Sequence, residues 1–206
     1  ETVSVALAGP NRASWTTTVS IEGMPAARRD EAQVRTADPD YMAASRGRLV
    51  QGRFFSAADD SKTPLVAVVN EAFVRRHLAN VNPLEHKVVL FGLPRQIVGV
   101  VADMRYDGPG APPSPAMYFP PRQFALLFPD ATLIVRSSGD PSALARPLIR
   151  AVASVDPTVA PFEVRTLETA VTESTARQRF ILTLLTGFAG IALVLAAVGI
   201  YGVVAY

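Results

Sequence analysis

The last 27 residues of the chain, from Phe180 to Tyr206, contain no charged side chain, and this feature limits the possible folds more than any other. All 20 basic and 18 acidic residues lie at or before Arg179. A helix of 27 residues is about 40 Å long, whereas the hydrocarbon core of a bilayer is about 30 Å thick. The segment therefore predicts a transmembrane helix over residues 180–206, in contact with the lipid bilayer. The alternative is a buried helix of a soluble domain, but such helices are usually shorter and keep a polar edge.

Small residues recur within this segment at helical spacing. Ala189, Ala192, Ala196 and Gly199 follow one another at intervals of three, four and three residues, which places them on one narrow face of a helix. Such a face lets two helix backbones approach closely and is typical of interfaces between membrane helices. A generally alanine-rich span would give the same pattern, so the residues leave both interpretations open.

The polar part of the chain begins with short strand patterns and one clear helix. Residues 2–7 alternate between polar and apolar side chains, as in a half-buried strand. The continuous apolar run Leu65–Val69 is typical of a strand that is buried on both faces. Asn70 follows this run and is predicted to cap a helix that begins at Glu71.

The next elements are predicted to be a hairpin and a short extended piece. The runs Lys87–Phe91 and Gln96–Val101 are predicted as two strands that are joined by the loop Gly92-Leu93-Pro94. Ala116–Phe119 is predicted as a short extended piece, which Pro120 and Pro121 end.

Residues 132–165 follow a strand–helix–strand pattern. Thr132–Arg136 is predicted as a strand, and Asp140 and Pro141 are typical of the first positions of a helix. The apolar face of this helix is predicted to consist of Leu144, Leu148, Val152 and Val155. Pro147 is predicted to bend or interrupt the helix, because proline cannot donate a backbone hydrogen bond. Phe162–Arg165 is predicted as the returning strand, which completes a βαβ unit.

The composition argues against several classes of function. The chain has no cysteine, so it has no disulfide, no thiolate metal site and no cysteine nucleophile. The net charge is only +2, and the basic residues are scattered among the acidic ones, which argues against nucleic-acid binding. The phosphate-binding loop of ATPases and the nucleophile elbow of hydrolases are both absent. We therefore predict that the chain is not an enzyme, holds no cofactor and binds no nucleic acid.

The residues that could bind a metal ion or act as acids and bases are not grouped as such sites require. His77 and His86 do not have the spacing of two zinc ligands on one helix. Asp59-Asp60 and the stretch from Asp103 to Asp107 could pair carboxylates, but both lie beside turn residues, where aspartate binds its own backbone. The sequence therefore predicts no metal site and no catalytic residue.

Five segments of the chain occur in a familiar order. They are Gly47–Phe55, Val66–Phe73, Gln96–Asp103, Met117–Pro120 and Ala197–Val203. Each is unspecific alone, but their succession resembles the MacB-like periplasmic core domain joined to an FtsX-like permease helix, and it is most similar to the large duplicated permeases of that superfamily. The resemblance covers almost the whole chain.

The resemblance implies an α+β fold, in which a porter-like βαβ unit carries an inserted small α/β subdomain and is followed by one transmembrane helix. The implied boundaries are the end of a porter-like strand in residues 1–14, the inserted subdomain in 15–128, the βαβ unit in 129–166, a stalk helix in 167–179 and the transmembrane helix in 180–206. The resemblance also implies that the first membrane helix and the opening strand and helix of the porter-like unit precede Glu1.

The resemblance further implies that residues 1–179 lie in the periplasm, outside the bacterial inner membrane. Arg177 and Arg179, which flank the uncharged segment, would by themselves favour a cytoplasmic position, and the residues alone leave the orientation open. One stretch departs from the family, because residues 78–87 lack two glycines that the family commonly has after its helix. The turn there is expected to have a different shape.

The function implied is that of an ABC transporter permease, which couples the ATP-driven motion of a partner to an event in the periplasm. The implied partners are an ATP-binding cassette ATPase on another chain or gene segment, and a periplasmic adaptor or enzyme. The permease itself is implied to be dimeric or pseudo-dimeric. The alternative is a regulatory scaffold of FtsX type, which binds and activates a periplasmic enzyme.

Overall fold

The computed structural model describes residues 2–7, 15–24, 31–104, 111–124, 132–158, 164–166, 168–169, 172, 181, 184–190, 192–193, 195 and 200. Up to Val155 the described residues form ten strands and three α-helices. The strands are Thr2–Leu7 (β1), Trp15–Thr18 (β2), Ser20–Ile21 (β3), Glu31–Ala37 (β4), Leu49–Gly52 (β5), Val66–Asn70 (β6), Lys87–Leu90 (β7), Leu93–Val101 (β8), Ala116–Phe119 (β9) and Thr132–Arg136 (β10). The helices are Tyr41–Ser45 (α1), Glu71–His77 (α2) and Ala145–Val155 (α3), and 3-10 turns lie at Pro83–Glu85 and Pro141–Leu144.

The strands form one mixed sheet in the order β10-β1-β4-β9-β6-β8-β7-β3, with β2 paired to β4 and β5 paired to β8. The pairs β4–β9 and β6–β8 are parallel, and the other pairs are antiparallel. Strand β1 joins β4 through two residue pairs only, Ala6 with Ala37 and Leu7 with Thr36. The mixed α+β class is confirmed, whereas the division into a porter-like unit and an inserted subdomain stays a prediction.

The centre of the sheet is buried on both faces. All five residues of β6 are buried, as its continuous apolar run predicts. On one face a hydrophobic cluster includes Val34, Val69, Ile97, Met117 and Phe73, the last of which comes from α2. On the other face a second cluster includes Ala37, Val68, Val101, Tyr118 and Tyr41, the last of which comes from α1. The helices thus cover opposite faces of the same strands.

Strand β9 has a more central place than the sequence indicates. Ala116–Phe119 was expected only as a short extended piece, but it lies between β4 and β6, and its four residues are at most 1% exposed. The parallel neighbour β4 comes from a distant part of the chain, and single-sequence patterns carry no information about such a pairing. The prolines that follow end the strand as predicted.

The hairpin of β7 and β8 is tighter than predicted. The expected loop of Gly92, Leu93 and Pro94 is wrong, because the turn consists of Phe91 and Gly92 alone, and Leu90 pairs directly with Leu93. Both turn residues have a left-handed backbone, with φ of 53° and 75°, which is the requirement of a two-residue type I′ turn. Pro94 fits in β8 because β6 pairs with that strand only from Gln96 onwards.

The turn after α2 uses asparagine residues in a stretch that lacks two glycines common in the family. Asn80 has a φ of 68°, and asparagine is one of the few residues other than glycine that adopt this conformation readily. The side chain of Asn82 then accepts a hydrogen bond from the backbone of Leu84 (3.3 Å) and begins the 3-10 turn at Pro83–Glu85. Asparagine thus provides the left-handed backbone of this turn, and the difference in shape from the family stays a prediction.

The strand–helix–strand pattern predicted for residues 132–165 is confirmed for its first strand and for the start of its helix. Strand β10 pairs antiparallel with β1, and the side chain of Asp140 accepts a hydrogen bond from the backbone of Ser142 (2.9 Å). A 3-10 turn at Pro141–Leu144 precedes the α-helix, so the regular helix begins only at Ala145, with Pro147 in its first turn. Residues 162–163 of the predicted returning strand lie outside the described residues, and Val164 and Arg165 are not in a strand.

The chain divides into two compact units, Glu1–Val164 and Arg165–Tyr206. In the second unit, residues 184–190 form the longest described helical stretch. No helix within the described ranges is long and apolar enough to cross a membrane. The predicted stalk helix over 167–179 and the transmembrane helix over 180–206 lie largely outside the described residues. Ala189 and Ala192 are helical and exposed, whereas Ala196 and Gly199 also lie outside them.

Candidate functional site

Four of the five segments that carry the resemblance come together in the sheet. Gly47–Phe55 contains β5, Val66–Phe73 contains β6 and the start of α2, Gln96–Asp103 contains most of β8, and Met117–Pro120 contains most of β9. These strands are direct neighbours in the order β5-β8-β6-β9. The fifth segment, Ala197–Val203, lies almost entirely outside the described residues.

Two glycines allow β5 and β8 to approach each other closely. Gly52 and Gly99 are opposite each other in the pairing of these strands, and Gly52 has a φ of 72°. A Cβ atom at Gly99 would lie 2.0 Å from the backbone oxygen of Arg53, and one at Gly52 would lie 2.3 Å from that of Val98. These positions therefore require glycine for steric reasons.

An ion pair fixes the loop that follows β5. The guanidinium of Arg53 donates two hydrogen bonds of 2.8 Å to the two carboxylate oxygens of Asp59, whose side chain is 7% exposed. Oδ2 of Asp59 also accepts a hydrogen bond from the backbone N–H of Ser56 (2.8 Å). The hydrogen bonds from Arg53, supported by those from Ser56, lower the pKa of Asp59 below its usual value.

We expect the Asp59→Asn variant to be less stable than the wild type at pH 7 by about 1–3 kcal/mol, because it loses two charge-assisted hydrogen bonds. The folded-state pKa of Asp59 is lowered, so its contribution is complete above its unfolded value of about 3.9 and is lost as the pH falls through the folded value. The difference between the two proteins should therefore shrink below about pH 4. Urea unfolding of both proteins at pH 7 and pH 3 measures it.

The neighbouring Asp60→Asn variant is the matched control. Asp60 accepts one exposed hydrogen bond, from the backbone of Lys62 (2.8 Å), so its replacement should cost less than about 1 kcal/mol. An equal loss in both variants, or a loss for Asp59→Asn that is the same at both pH values, would contradict the role assigned to the ion pair.

Asp103 binds the start of α2 from the end of β8. Its carboxylate accepts hydrogen bonds from the backbone N–H of Ala72 (2.7 Å) and from the guanidinium of Arg75 (2.6 Å). The backbone N–H of Asp103 in turn donates to the carboxylate of Glu71 (3.3 Å). The sequence analysis placed the hydrogen-bond partners of this aspartate in its own turn, whereas the partners lie about 30 residues away in the chain.

Two amide side chains, of which Asn70 is buried and Gln123 is half-buried, connect distant parts of the chain. Asn70 is 0% exposed, and its Oδ1 accepts from the backbone of Phe73 and of Ala116, both at 2.9 Å, while its Nδ2 donates to the backbone oxygen of Ser114 (2.9 Å). Gln123 accepts from the backbone N–H of Val66 (2.9 Å) and donates to backbone oxygens of the loop before β6. The amides thus hold β6, α2 and β9 in one arrangement.

A row of aromatic side chains runs from the core to the hairpin turn. Phe119 stacks on Phe124 (5.2 Å between ring centres), Phe124 on Phe91 (6.4 Å), and Phe91 on Trp15 (5.3 Å). The guanidinium of Arg95 lies over Phe119 and Phe124, and its burial lowers the pKa of this residue. Its side chain also donates to the backbone oxygens of Leu90 and Leu93, which secures the turn.

These arrangements connect elements of the sheet to one another. Within the described ranges, no group of three or more histidine, cysteine, aspartate or glutamate side chains could hold a metal ion. His77 belongs to α2 and His86 ends the 3-10 turn, so they are separated as predicted. Asp59, Asp60 and Asp103 are all engaged in structural hydrogen bonds, and Asp107 lies outside the described residues.

The sequence analysis did not single out the residues that form these connections. Arg95 and Gln123 gave no signal, because an isolated arginine in a strand and a glutamine in a loop are usually solvent-exposed. Gly99 offered one usable signal, since an isolated glycine inside a strand pattern often marks a bulge or a close backbone approach. The structure has both features there, because the pairing of β6 with β8 shifts by one residue just before Gly99.

Comparison with known proteins identifies the same fold. The periplasmic region of MacB from Actinobacillus actinomycetemcomitans is 19% identical, with a TM-score of 0.53, over 73% of this chain and 66% of that one. The extracellular domain of the noncanonic ABC-type transporter YknZ from Gram-positive bacteria is 14% identical, with a TM-score of 0.55, over 81% of both chains. No curated protein matches the chain.

The family comparison gives a match that covers most of the chain. The model of the MacB-like periplasmic core domain matches residues 2–167. This range contains all ten described strands and the four neighbouring segments that carried the resemblance. The chain therefore belongs to the MacB-like periplasmic core domain family.

Proposed function

We propose that the chain is the periplasmic domain and the adjoining membrane anchor of an ABC-type permease, which transmits the motion of an ATPase on another chain to a periplasmic export or partner event. The match of the periplasmic core domain family to residues 2–167 is the observation that carries this proposal. The uncharged segment over residues 180–206 supports it, because it provides an anchor long enough to cross a bilayer.

The construction of the sheet supports a mechanical role. Strands β5, β8, β6 and β9 are held by the amides of Asn70 and Gln123, by the Arg53–Asp59 pair and by hydrophobic clusters on both faces. Closely packed interiors have low compressibility and transmit displacement without deforming. A domain of this kind can carry a movement from one end to a partner at the other.

The link to the membrane would be the predicted stalk helix over residues 167–179. This stretch contains no proline or glycine, and the next glycine is Gly187. An uninterrupted helix is stiff, so a shift of the transmembrane helix would move the periplasmic domain.

Replacing Ser174 and Thr175 by Gly-Pro tests this mechanism, because the pair should break the stalk helix. We expect export or partner activation in cells to be abolished, while the periplasmic domain folds and the ATPase partner hydrolyses ATP at a normal rate. The matched control replaces the same two residues by Ala-Ala, which keeps the helix and should keep the activity. If the Gly-Pro variant has wild-type activity at normal expression, the motion of the membrane helix is not transmitted through residues 167–179. Loss of ATP hydrolysis would indicate an assembly defect instead.

A second candidate function is the FtsX-type regulatory scaffold, which the hairpin turn favours. Trp15 and Phe91 stack on each other at the surface with 37% and 58% of their area exposed, and Leu93 beside the turn is 51% exposed. Exposed aromatic side chains of this kind are enriched at protein interfaces. A scaffold would act by raising the activity of a periplasmic enzyme, whereas a permease would act by moving a substrate. Measuring both substrate export and the activity of the periplasmic enzyme in cells that carry the stalk variants distinguishes the scaffold from the permease.

A further inference from the structure

Among the described strands, β5 lies at an open edge of the sheet. Its four residues are all exposed, and Leu49 and Val50 expose 40% and 42% of their area. Within the described residues β5 pairs with β8 and with no second strand, and neither hydrophobic cluster contains one of its residues. Every residue from position 31 to position 104 is described, so the chain on both sides of β5 is part of this picture.

The outer edge of β5 offers a backbone donor and a backbone acceptor to an added strand. The backbone oxygen of Arg48 accepts a hydrogen bond from the N–H of Ala102 (2.8 Å), so the oxygen of Arg48 faces β8. Successive residues of an antiparallel strand turn their backbone groups toward the partner and away from it, and Leu49 is the next residue, opposite Val101. The N–H and the C=O of Leu49 therefore point away from β8. Such groups on an edge strand are a template for an extended chain.

The charges beside this edge are positive. Arg46 and Arg48 are exposed, and within the described residues their side chains have no ion pair and no hydrogen bond. Arg53 at the other end of β5 differs, because the carboxylate of Asp59 binds its guanidinium. A segment that adds to β5 therefore meets the cations of Arg46 and Arg48, and carboxylate side chains complement them.

The same charges argue against a second copy of the chain at this edge. Two β5 strands that pair along their edges would bring the arginines at positions 46 and 48 of both copies within a few residues of one another. Like charges on paired strands are destabilising. The edge is also short and has a bulge between Leu49 and Gln51, and both features limit unspecific pairing of edges. The edge thus favours a short partner segment of opposite charge.

We propose that β5 is the docking strand for an extended, acidic segment of a periplasmic partner protein. The segment lies antiparallel to β5, exchanges two backbone hydrogen bonds with Leu49, and places carboxylates near Arg46 and Arg48. In this mode of recognition the backbone pairing provides affinity and the side chains provide specificity. The inference rests on the proposed function and deepens it, because it gives the partner a chemistry and its contact a place in the fold.

Binding of two labelled peptides to the 206-residue chain in detergent micelles tests the proposal. The probe is a peptide of alternating glutamate and valine, and its control has lysine in place of every glutamate. Fluorescence anisotropy should show that the glutamate peptide binds at least about 10-fold more tightly than the lysine peptide, and that added salt weakens its binding. Replacing both Arg46 and Arg48 by glutamate should reverse this preference.

The Leu49→Pro variant tests the backbone pairing separately from the charges. It removes the outward N–H and keeps the pairing with β8, because proline is tolerated on an edge strand when its N–H side faces solvent. It should bind the glutamate peptide at least about 5-fold more weakly, whereas the matched control Leu49→Val keeps the N–H and should bind like the wild type. Circular dichroism checks that both variants fold. The charge-reversal variant changes exposed side chains alone, so it tests the proposal even if the proline variant does not fold.

Equal affinity for the two peptides, or wild-type affinity of a folded Leu49→Pro variant, would overturn the proposal. Oligomers that form with rising protein concentration and disappear in Leu49→Pro would also overturn it, because a second copy would then occupy the edge. If Leu49→Pro keeps its affinity and short-chain phosphatidylglycerol displaces the glutamate peptide, the arginines bind an anionic lipid surface and not a strand. None of these readouts measures transport, so their failure is distinct from failure of the proposed function.

Discussion

Replacing Gly99 by alanine is expected to prevent the periplasmic domain from folding. The added Cβ atom would lie 2.0 Å from the oxygen, 2.9 Å from the carbon and 3.3 Å from the nitrogen of the Arg53 backbone. All three atoms belong to the main chain, so no side-chain rotation can relieve the overlap. Strands β5 and β8 would have to separate, which would also break the hydrogen bond from the backbone N–H of Arg53 to the oxygen of Val98 (2.9 Å). We expect a loss of more than about 4 kcal/mol.

Gly139→Ala is the matched control for this substitution. A Cβ atom at Gly139 would meet only the hydroxyl of Ser137, at an ordinary distance of 3.8 Å. Its free energy of unfolding should change by less than about 1 kcal/mol. Circular dichroism and urea unfolding of the two purified variants measure the difference. A Gly99→Ala protein that unfolds at nearly the wild-type urea concentration would show that β5 can move away from β8 at little cost.

The elements that local chemistry determines were predicted well. The apolar run of β6, the cap at Asn70 and the helix that follows are fixed by residues adjacent in the chain, and all three are present in the structure. The same holds for Asp140 and Pro141, which begin the 3-10 turn. In these cases the preferences of neighbouring residues agree with the tertiary structure, so the patterns alone were sufficient. The prediction that Pro147 bends or interrupts the helix is wrong, because Pro147 lies in the first turn of α3, where its missing N–H breaks no helical hydrogen bond.

The relations between distant segments could not be predicted from the residues. The parallel pairing of β9 with β4 depends on partners about 80 residues apart, and a four-residue run carries no signal for it. The turn at Phe91 was missed because phenylalanine rarely adopts a positive φ, so Leu93 and Pro94 looked like better loop residues. Its stacking with Trp15 and Phe124 is a tertiary contact that compensates for this local cost.

The residues of the candidate site show the same difference between local patterns and long-range contacts. The predicted small-residue face of the membrane segment depends on helical periodicity alone, and it stays a prediction. The connections through Arg53, Arg95 and Gln123 consist of single polar side chains, each of which binds backbone or carboxylate groups that only the folded chain brings near. The family resemblance predicted the fold class because members of a family share their long-range contacts. The order of several segments, each unspecific alone, was enough to indicate the family.

Replacing Asn70 by alanine is expected to destabilise the domain by about 3–9 kcal/mol, the second large effect. The substitution leaves two backbone N–H groups, of Phe73 and Ala116, and the backbone oxygen of Ser114 without the partner they have in the wild type. Each unsatisfied buried group costs about 1–3 kcal/mol, and the loss of the helix cap is included in this sum. Urea unfolding measures the loss, and the deficit should be the same at pH 7 and at pH 4.5 because no titrating group is involved.

The Asn70→Asp variant separates the accepting role of this side chain from its donating role. At pH 7 the carboxylate can still accept from Phe73 and Ala116, but its second oxygen faces the backbone oxygen of Ser114 and repels it. We expect complete burial and this repulsion to outweigh the two backbone N–H donors, which favour the charged form, and so to raise the pKa of the new carboxyl in the folded state. A raised folded pKa stabilises the fold below the unfolded value of about 3.9, and this contribution is lost as the pH rises through the folded value. Acidification therefore restores the donor, and the aspartate variant should approach the wild type between pH 7 and pH 4.5 while the alanine variant does not. An aspartate variant as stable as the wild type at both pH values would mean that the bond to Ser114 contributes nothing, and that Asn70 acts only through its accepting oxygen.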